Sequence, residues 1–336
     1  VETLLVASAR VPEAGAPGFG EGIARSLSFA EFQVSVPPDR AKGTVTFPAP
    51  NRSPDPATDF LTVSSTRIAD RAAFLRRVNA AVASQPKGGR DVFVFVHGFN
   101  TNFAEGLYRQ AQMSYDFQSP GISINYAWPS AGRVTAYATD REAALVARDG
   151  LQDLLHLLAQ SNAERIIVLG HSMGAMVVME AVRQVALVND RAVLAKTDAV
   201  VLMAADLDIE VFRAQMQPVA VRKIDVFVIT SSRDRALRFS ARLRGSSERL
   251  GGISDAGPVA DLPVKVIDLS NFEGEEDALG HFTAATSPAL ISLFQGLGAV
   301  GLDILRDQPA SVGLIEAGLG IVGETATVLT EPLAPR

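Results

Sequence analysis

The chain has 336 residues, of which 47% are hydrophobic and 20% are charged, and its formal net charge is -6. A chain of this length can bury a large core, and its acidic balance, with no run of basic residues, argues against a nucleic acid as partner. Because cysteine is absent, disulfides, a catalytic thiolate and cysteine-ligated zinc are excluded.

Short β-like segments dominate the first part of the chain. The predicted strands and β-like pieces are residues 2–8, 33–36, 43–47 and 59–65, with several prolines between them. Asp70–Ala83 has the apolar spacing of an amphipathic helix. We therefore expect a β-rich N-terminal extension over residues 1–66.

Strands and helices alternate from residue 67 to residue 287. The predicted strands are residues 91–96, 122–128, 165–169, 199–205, 224–230 and 264–269. The predicted helices begin at Asn102, at a Thr139–Glu142 capping box and near Ala175. Such alternation favours an α/β fold with a mainly parallel sheet and helices on both faces.

The last part of the chain begins with a long uncharged stretch, residues 282–302. Its serine, threonine, glutamine and proline residues make it too polar for a transmembrane helix, although peripheral contact with lipid stays open as an alternative. Ser287 and Pro288 are typical of a helix start, and apolar residues follow at helical spacing. We expect residues 288–336 to form a helical tail packed on the same domain.

The motif Gly170-His171-Ser172-Met173-Gly174 lies between a predicted strand and a predicted helix. This is the context of a G-x-S-x-G nucleophile elbow, in which the serine occupies a strained turn and its hydroxyl stands clear of the backbone. Ser172 is therefore the candidate nucleophile. An ordinary tight turn with a surface serine is the alternative.

The remaining members of a Ser–acid–His triad should follow Ser172 in the chain. Of the four histidines, His281 alone lies beyond the motif, so it is the candidate general base. Asp234, just after the strand at 224–230, is the candidate acid. Asp206 and Asp208 follow the preceding strand and are the alternatives.

An oxyanion hole needs two backbone N–H groups, and the elbow predicts the first at Met173. The second should come from the loop His97–Asn100, where Phe99 is the candidate donor. Trp128 and Tyr126, near the end of a strand at the same edge, are candidates for the substrate pocket, with a role in the core as the alternative. No metal or organic cofactor is implied.

Eight strings of residues carry a resemblance to a known family. They are Val6–Arg10, Val36–Pro38, Phe95–Thr101, Ala127–Ser130, Asp140–Glu142, Gly170–Gly174, Ser232–Leu237 and Gly280–Phe282. Over roughly residues 60–285 the chain resembles the bacterial α/β-hydrolase family DUF900. The resemblance implies an α/β-hydrolase fold and a serine hydrolase with esterase- or lipase-like activity. It also favours Asp234 over Asp206, and implies that members can carry export or lipoprotein leaders.

These patterns together predict a serine carboxylic-ester hydrolase that acts on a small-molecule ester or a lipid through an acyl-enzyme on Ser172. The same triad could instead serve an acyltransferase or perhydrolase, and a non-catalytic hydrolase fold that binds lipid or protein is a third interpretation. The chain begins at Val1 rather than Met, so we expect an exported protein, periplasmic, secreted or lipid-anchored, with a cytoplasmic one as the alternative. The oligomeric state is left open.

Overall fold

The computed structural model describes residues 1–15, 18–118, 121–231, 237, 248–254, 256–268, 291 and 327–329. Its strands are β1 (Glu2–Pro12), β2 (Phe19–Ser35), β3 (Leu61–Ile68), β4 (Val92–Val96), β5 (Ile122–Ala127), β6 (Ile166–His171), β7 (Thr197–Met203), β8 (Asp225–Thr230), β9 (Val264–Asp268) and β10 (Thr327–Leu329). Its helices are α1 (Arg71–Ala83), α2 (Phe103–Phe117), α3 (Tyr137–Ala159), α4 (Met173–Leu187), α5 (Arg191–Lys196) and α6 (Ile209–Val219).

The described strands form one sheet in the order β10-β9-β8-β7-β6-β4-β5-β1-β2-β3. Every pair from β9 through to β1 is parallel, whereas β1–β2, β2–β3 and β9–β10 are antiparallel. The predicted α/β fold with a mainly parallel sheet is therefore confirmed. The parallel strands bring their carboxyl ends, and the loops that follow them, to one edge.

Side chains that alternate along β1 enter two different cores. Leu5 and Ala7 belong to the larger core, which also contains Leu151 of α3 and many residues of α4. Leu4 and Val6 belong to the smaller core, which contains Leu107 of α2. Because successive side chains of a strand point to opposite faces, the sheet carries α2 on one face and α3 and α4 on the other.

The N-terminal extension contains longer strands than its sequence predicts. β2 runs for 17 residues and pairs with β1 almost throughout, although the predicted piece 33–36 overlaps only its last three residues. Residues 43–47, predicted as β-like, form no strand. β1 also pairs in parallel with β5, so the extension and the following strands share one sheet. The partner strands, which are distant in sequence, thus determine where these strands begin and end.

Two helix starts show where local signals succeed and fail. At α2, the Asn102 carboxamide accepts from the Glu105 N–H (3.0 Å) and the Glu105 carboxylate accepts from the Asn102 N–H (2.7 Å), so the predicted cap is confirmed. The predicted Thr139–Glu142 capping box is wrong, because α3 begins at Tyr137. Thr139 lies inside the first turn, and its hydroxyl donates to the Ala136 carbonyl (2.9 Å).

The predicted helical tail lies mostly outside the described residues. Thr327–Leu329 of that tail forms β10, an unpredicted strand antiparallel to β9. In the described part of the chain, no helix combines the length and the apolar character needed to cross a bilayer.

Candidate active site

Ser172 occupies the turn between β6 and α4 with a strained backbone, φ 52° and ψ -122°. A positive φ of this kind costs a non-glycine residue about 1–3 kcal/mol and persists only where the surroundings enforce it. The Ser172 N–H donates to the Met203 carbonyl (3.0 Å), and the Ser172 carbonyl accepts from the N–H groups of Ala175 (3.1 Å) and Asp206 (3.2 Å). The end of β7 and the first turn of α4 therefore hold the strained turn in place.

The two glycines of the motif allow backbone segments to approach closely. A Cβ at Gly174 would lie 2.4 Å from the carbonyl oxygens of both Val96 and His97, and a Cβ at Gly170 would lie 2.8 Å from the Cα of Ala175. No side chain fits at such distances, because the obstacles are backbone atoms. The backbone of Gly170–Gly174 thus forms the tight, strained strand-to-helix turn that the motif predicts.

The loop between β4 and α2, residues 97–102, lies directly against this turn. A Cβ at Gly98 would lie 2.9 Å from the Cβ of Ser172, and Asn100 has a left-handed backbone with φ 54°. Among the described residues, no acceptor takes the backbone N–H of Phe99 or of Met173. These two amide N–H groups near Ser172 are therefore available to donate to a ligand.

Neither Asp234 nor His281 can be placed, because both lie outside the described residues. Asp206 is buried, and its carboxylate accepts from the Tyr137 hydroxyl (2.7 Å) and lies 3.3 Å from Nε of Arg249. The Asp208 carboxylate lies 4.0 Å from Nη1 of Arg249 and also caps α6. The two alternative acids therefore contact an arginine that the sequence analysis did not single out.

Arg249 is a fully buried guanidinium at the carboxyl edge of the sheet, with 2% of its surface exposed. Because arginine side chains are usually exposed, its sequence position gives no reason to expect Arg249 to be buried. No group of three or more histidine, cysteine, aspartate or glutamate side chains within the described residues is arranged to hold a metal ion. Asp206 and Asp208 face the cation of Arg249 instead.

Trp128 and Tyr126 are fully buried. Trp128 donates from Nε1 to the His97 carbonyl (2.6 Å) and stacks on the His97 imidazole, with ring centroids 5.3 Å apart. Tyr126 donates its hydroxyl to the carbonyl of Ala147 in α3. These contacts are typical of core residues. They fit the alternative role in the core rather than the predicted role in the substrate pocket.

His97 is a buried imidazole that directly follows β4, and its place in the sequence indicates no role for the ring itself. Its burial, with the nearby Arg10 cation, lowers the pKa of His97 to about 3, so the ring is neutral at pH 7. Its Nδ1 lies 3.0 Å from the Gly98 carbonyl, a contact in which a neutral ring donates from Nδ1. The ring thereby helps to fix the turn that follows β4.

A pocket of about 270 Å³ borders the β4–α2 loop on the side of α2. Ser172 does not line it. Its polar lining consists of His97, Asn100, Thr101, Glu105, Arg109 and His171. The pocket is thus adjacent to the strained turn rather than centred on it.

The chain matches one family model and several solved structures. The model, described as an alpha/beta hydrolase of unknown function (DUF900), matches residues 70–297. An esterase of the fungus Rhizomucor miehei is 16% identical with a TM-score of 0.37, covering 66% of this chain and 78% of that chain. A lipase-esterase related protein of Clostridium acetobutylicum is 12% identical with a TM-score of 0.33, covering 64% and 95%. A putative cell surface hydrolase of Lactobacillus plantarum is 10% identical with a TM-score of 0.35, covering 65% and 92%.

No curated protein matches the chain. The solved structures are too dissimilar to decide its classification. The family model, by contrast, spans most of the chain and includes the strand–elbow–helix segment around Ser172. The sheet order and the geometry of that segment agree with it. The chain therefore belongs to the DUF900 family of alpha/beta hydrolases.

Proposed function

We propose that this hydrolase is a serine carboxylic-ester hydrolase with Ser172 as its nucleophile. The observation that carries the proposal is the strained backbone of Ser172, held between β7 and α4 by three backbone hydrogen bonds. Strain that the surroundings enforce at a single residue is typical of functional sites. A serine in this turn presents its hydroxyl beyond the carboxyl edge of the sheet, where α/β proteins bind their ligands.

The amide N–H groups of Phe99 and Met173 form the proposed oxyanion hole. Both lack an acceptor among the described residues, and Met173 is fully buried. Preorganised amide donors stabilise the negative charge that develops on the carbonyl oxygen in the transition state, and one such donor is typically worth about 10²–10³ in rate.

In the proposed reaction, the Ser172 hydroxyl oxygen attacks the ester carbonyl carbon while His281 accepts the hydroxyl proton. The oxyanion of the tetrahedral intermediate accepts from the Phe99 and Met173 amides. The intermediate collapses as the alcohol leaves with the proton from His281, and an acyl-enzyme on Ser172 remains. Water, deprotonated by His281, then attacks the acyl carbon, and the acid is released as Ser172 regains its proton.

We infer that Asp234, rather than Asp206, orients His281. Both oxygens of the Asp206 carboxylate are already engaged, one by the Tyr137 hydroxyl and the other by the Arg249 guanidinium. A triad acid must instead accept from the imidazole Nδ1–H. Asp234 follows β8, the strand after the one that Asp206 follows, and this is a position at which the acid of a Ser–acid–His triad is expected.

Hydrolysis of p-nitrophenyl butyrate by the wild type and four variants tests this proposal. We expect Ser172→Ala and His281→Ala to lose several orders of magnitude in kcat/KM, and Asp234→Asn to lose about 10³–10⁴. Asp206→Asn should retain kcat/KM within about tenfold, measured below its own melting temperature. Undiminished hydrolysis by Ser172→Ala would contradict the assignment of the nucleophile, and a larger loss in Asp206→Asn than in Asp234→Asn would reverse the assignment of the acid.

A further inference from the structure

Asp140 lies in the first turn of α3, and the proposed reaction gives it no role. It is buried, with 2% of its surface exposed. Its carboxylate accepts from the Ser130 hydroxyl (2.7 Å) and from the Ala131 N–H (3.1 Å). A buried carboxylate with two donors in one loop fixes the conformation of that loop.

Ser130 links Asp140 to the β4–α2 loop. Its hydroxyl oxygen accepts from the backbone N–H of Thr101 (3.3 Å) while its proton goes to Asp140. On the other side, the Thr101 carbonyl accepts from Nη2 of Arg10 (2.9 Å), whose side chain is also buried. The backbone of Thr101 is therefore held from both sides, by a hydroxyl that a carboxylate orients and by a guanidinium.

Further side chains hold the rest of the loop. The Thr101 hydroxyl donates to the Phe99 carbonyl (3.1 Å), and Trp128 donates to the His97 carbonyl (2.6 Å). Asn100 lies between Phe99 and Thr101 and has a left-handed backbone, with a φ of 54°. The contacts at Thr101 and His97 restrain the backbone on both sides of it.

Burial disfavours the two charges in this network. Burial raises the pKa of Asp140 and lowers the pKa of Arg10 to about 10, so the protein interior disfavours both charged forms. Buried charged groups are weak evidence for a stabilising role, since apolar residues of similar volume often stabilise more. What the network does supply is a single conformation of the loop that carries the Phe99 amide.

We propose that Asp140, Ser130 and Arg10 are positioning residues that hold the Phe99 N–H at the place where the oxyanion forms. The inference rests on the proposed function of Ser172. It concerns the transition state rather than substrate binding, since the Phe99 amide donates to charge that exists only after attack. Loss of the network should therefore lower kcat and leave KM nearly unchanged.

Kinetics of Ser130→Ala and Asp140→Asn with p-nitrophenyl butyrate, each assayed well below its own melting temperature, test this inference. We expect kcat to fall by about 10- to 100-fold, less than for outright loss of a donor, with KM within about twofold. The affinity for a trifluoromethyl ketone, which forms a tetrahedral oxyanion on the nucleophilic serine, should fall by a similar factor. A purely structural role would leave kcat and this affinity unchanged in folded protein.

Asp91→Asn is the matched control. Asp91 is also a buried carboxylate, paired with Arg165 (2.7 Å), but it lies just before β4 at the opposite end of the strand. The variant should lose stability and keep the wild-type kcat. Should Ser130→Ala and Asp140→Asn fail to fold, Thr101→Val removes only the hydroxyl that holds the Phe99 carbonyl, and kcat should again fall.

The outcomes separate the two proposals. Wild-type hydrolysis that depends on Ser172, together with unchanged kcat in the folded network variants, would overturn the inference and leave the proposed function intact. An equal loss of kcat in Asp91→Asn would overturn it as well. A wild type without Ser172-dependent hydrolysis would contradict the proposed function, and the inference would fall with it.

Discussion

Gly98 lies so close to Ser172 that no side chain fits between them: a Cβ at position 98 would lie 2.9 Å from the Cβ of Ser172 and 2.8 Å from Nδ1 of His171. The β4–α2 loop and the turn after β6 are therefore in direct contact. The position of the Phe99 amide relative to Ser172 depends on the absence of a side chain at residue 98. Four consequences of this and of the neighbouring contacts are open to experiment.

Gly98→Ala should impair catalysis more than folding. The added methyl group would collide with the side chains of His171 and Ser172, so the loop must shift away from Ser172 and carry the Phe99 amide with it. We expect kcat for p-nitrophenyl butyrate to fall by about 10²–10³, as for loss of one oxyanion donor. Gly20→Ala, where the nearest atom would be 3.8 Å away, is the control. A wild-type kcat in Gly98→Ala would show that the contact does not set the geometry of the site.

Gly174→Ala should instead impair folding. Its Cβ would lie 2.4 Å from two backbone carbonyl oxygens at the end of β4, so α4 would have to move away from the sheet. We expect a loss of at least about 3 kcal/mol in the free energy of unfolding, measured with urea, at the upper end of typical overpacking costs. Gly252→Ala, where the nearest atom would be 4.0 Å away, should change stability by less than about 0.5 kcal/mol. Equal stabilities for the two variants would contradict the packing described here.

His97 should make stability fall in acid. Burial lowers its pKa from 6.5 to about 3, so between these pH values the unfolded state binds a proton that the folded state does not. The stabilising contribution is complete above pH 6.5 and is lost as the pH falls towards 3. Between pH 7 and 4.5 the wild type should lose about 2.5 kcal/mol more than His97→Phe.

The control for this prediction is Val94→Ala, a truncation in the core that removes no titratable group. Its stability should be lower than that of the wild type at every pH but should decline equally steeply in acid. Denaturation with urea at several pH values gives the comparison. If His97→Phe loses stability in acid as steeply as the wild type, the imidazole is not the group responsible.

Arg249 and Asp206 should be energetically coupled. Their side chains are almost fully buried and lie 3.3 Å apart, so removing one partner takes an ionic contact away from a charge that stays buried. Arg249→Met should cost about 3–5 kcal/mol in the free energy of unfolding. In the double variant with Asp206→Asn, the cost should be smaller than the sum of the two single costs. Additive costs, within about 0.5 kcal/mol, would contradict the coupling.

Local signals account for the parts of the fold that the sequence predicted well. The start of α2 at Asn102 and the strand–turn–helix around Ser172 are each determined within a few residues, and the structure contains both. The predicted Thr139–Glu142 capping box was also a signal between neighbouring residues, but it was wrong. There α3 begins two residues before Thr139, whose hydroxyl donates back to Ala136 rather than capping the helix.

Long-range contacts account for what the sequence did not reveal. The full length of β2 depends on its pairing with β1, and the contact of Asp206 with Arg249 joins residues on different segments. The network from Asp140 through Ser130 to Thr101 is also long-range, although its residues belong to strings noted in the sequence. Patterns of polar residues predicted a candidate site, but the contacts that these residues make depend on the folded chain. The roles of Asp234 and His281 stay predictions.

The central claim is that Ser172 is an activated nucleophile, and labelling with a fluorophosphonate tests it most directly. A fluorophosphonate reacts with the hydroxyl of an activated serine, with loss of fluoride, and forms a stable covalent adduct that mass spectrometry can locate. We predict one adduct, on the peptide that contains Ser172, and no labelling of folded Ser172→Ala. Failure of the folded wild type to react, or an adduct on a different serine, would contradict the claim.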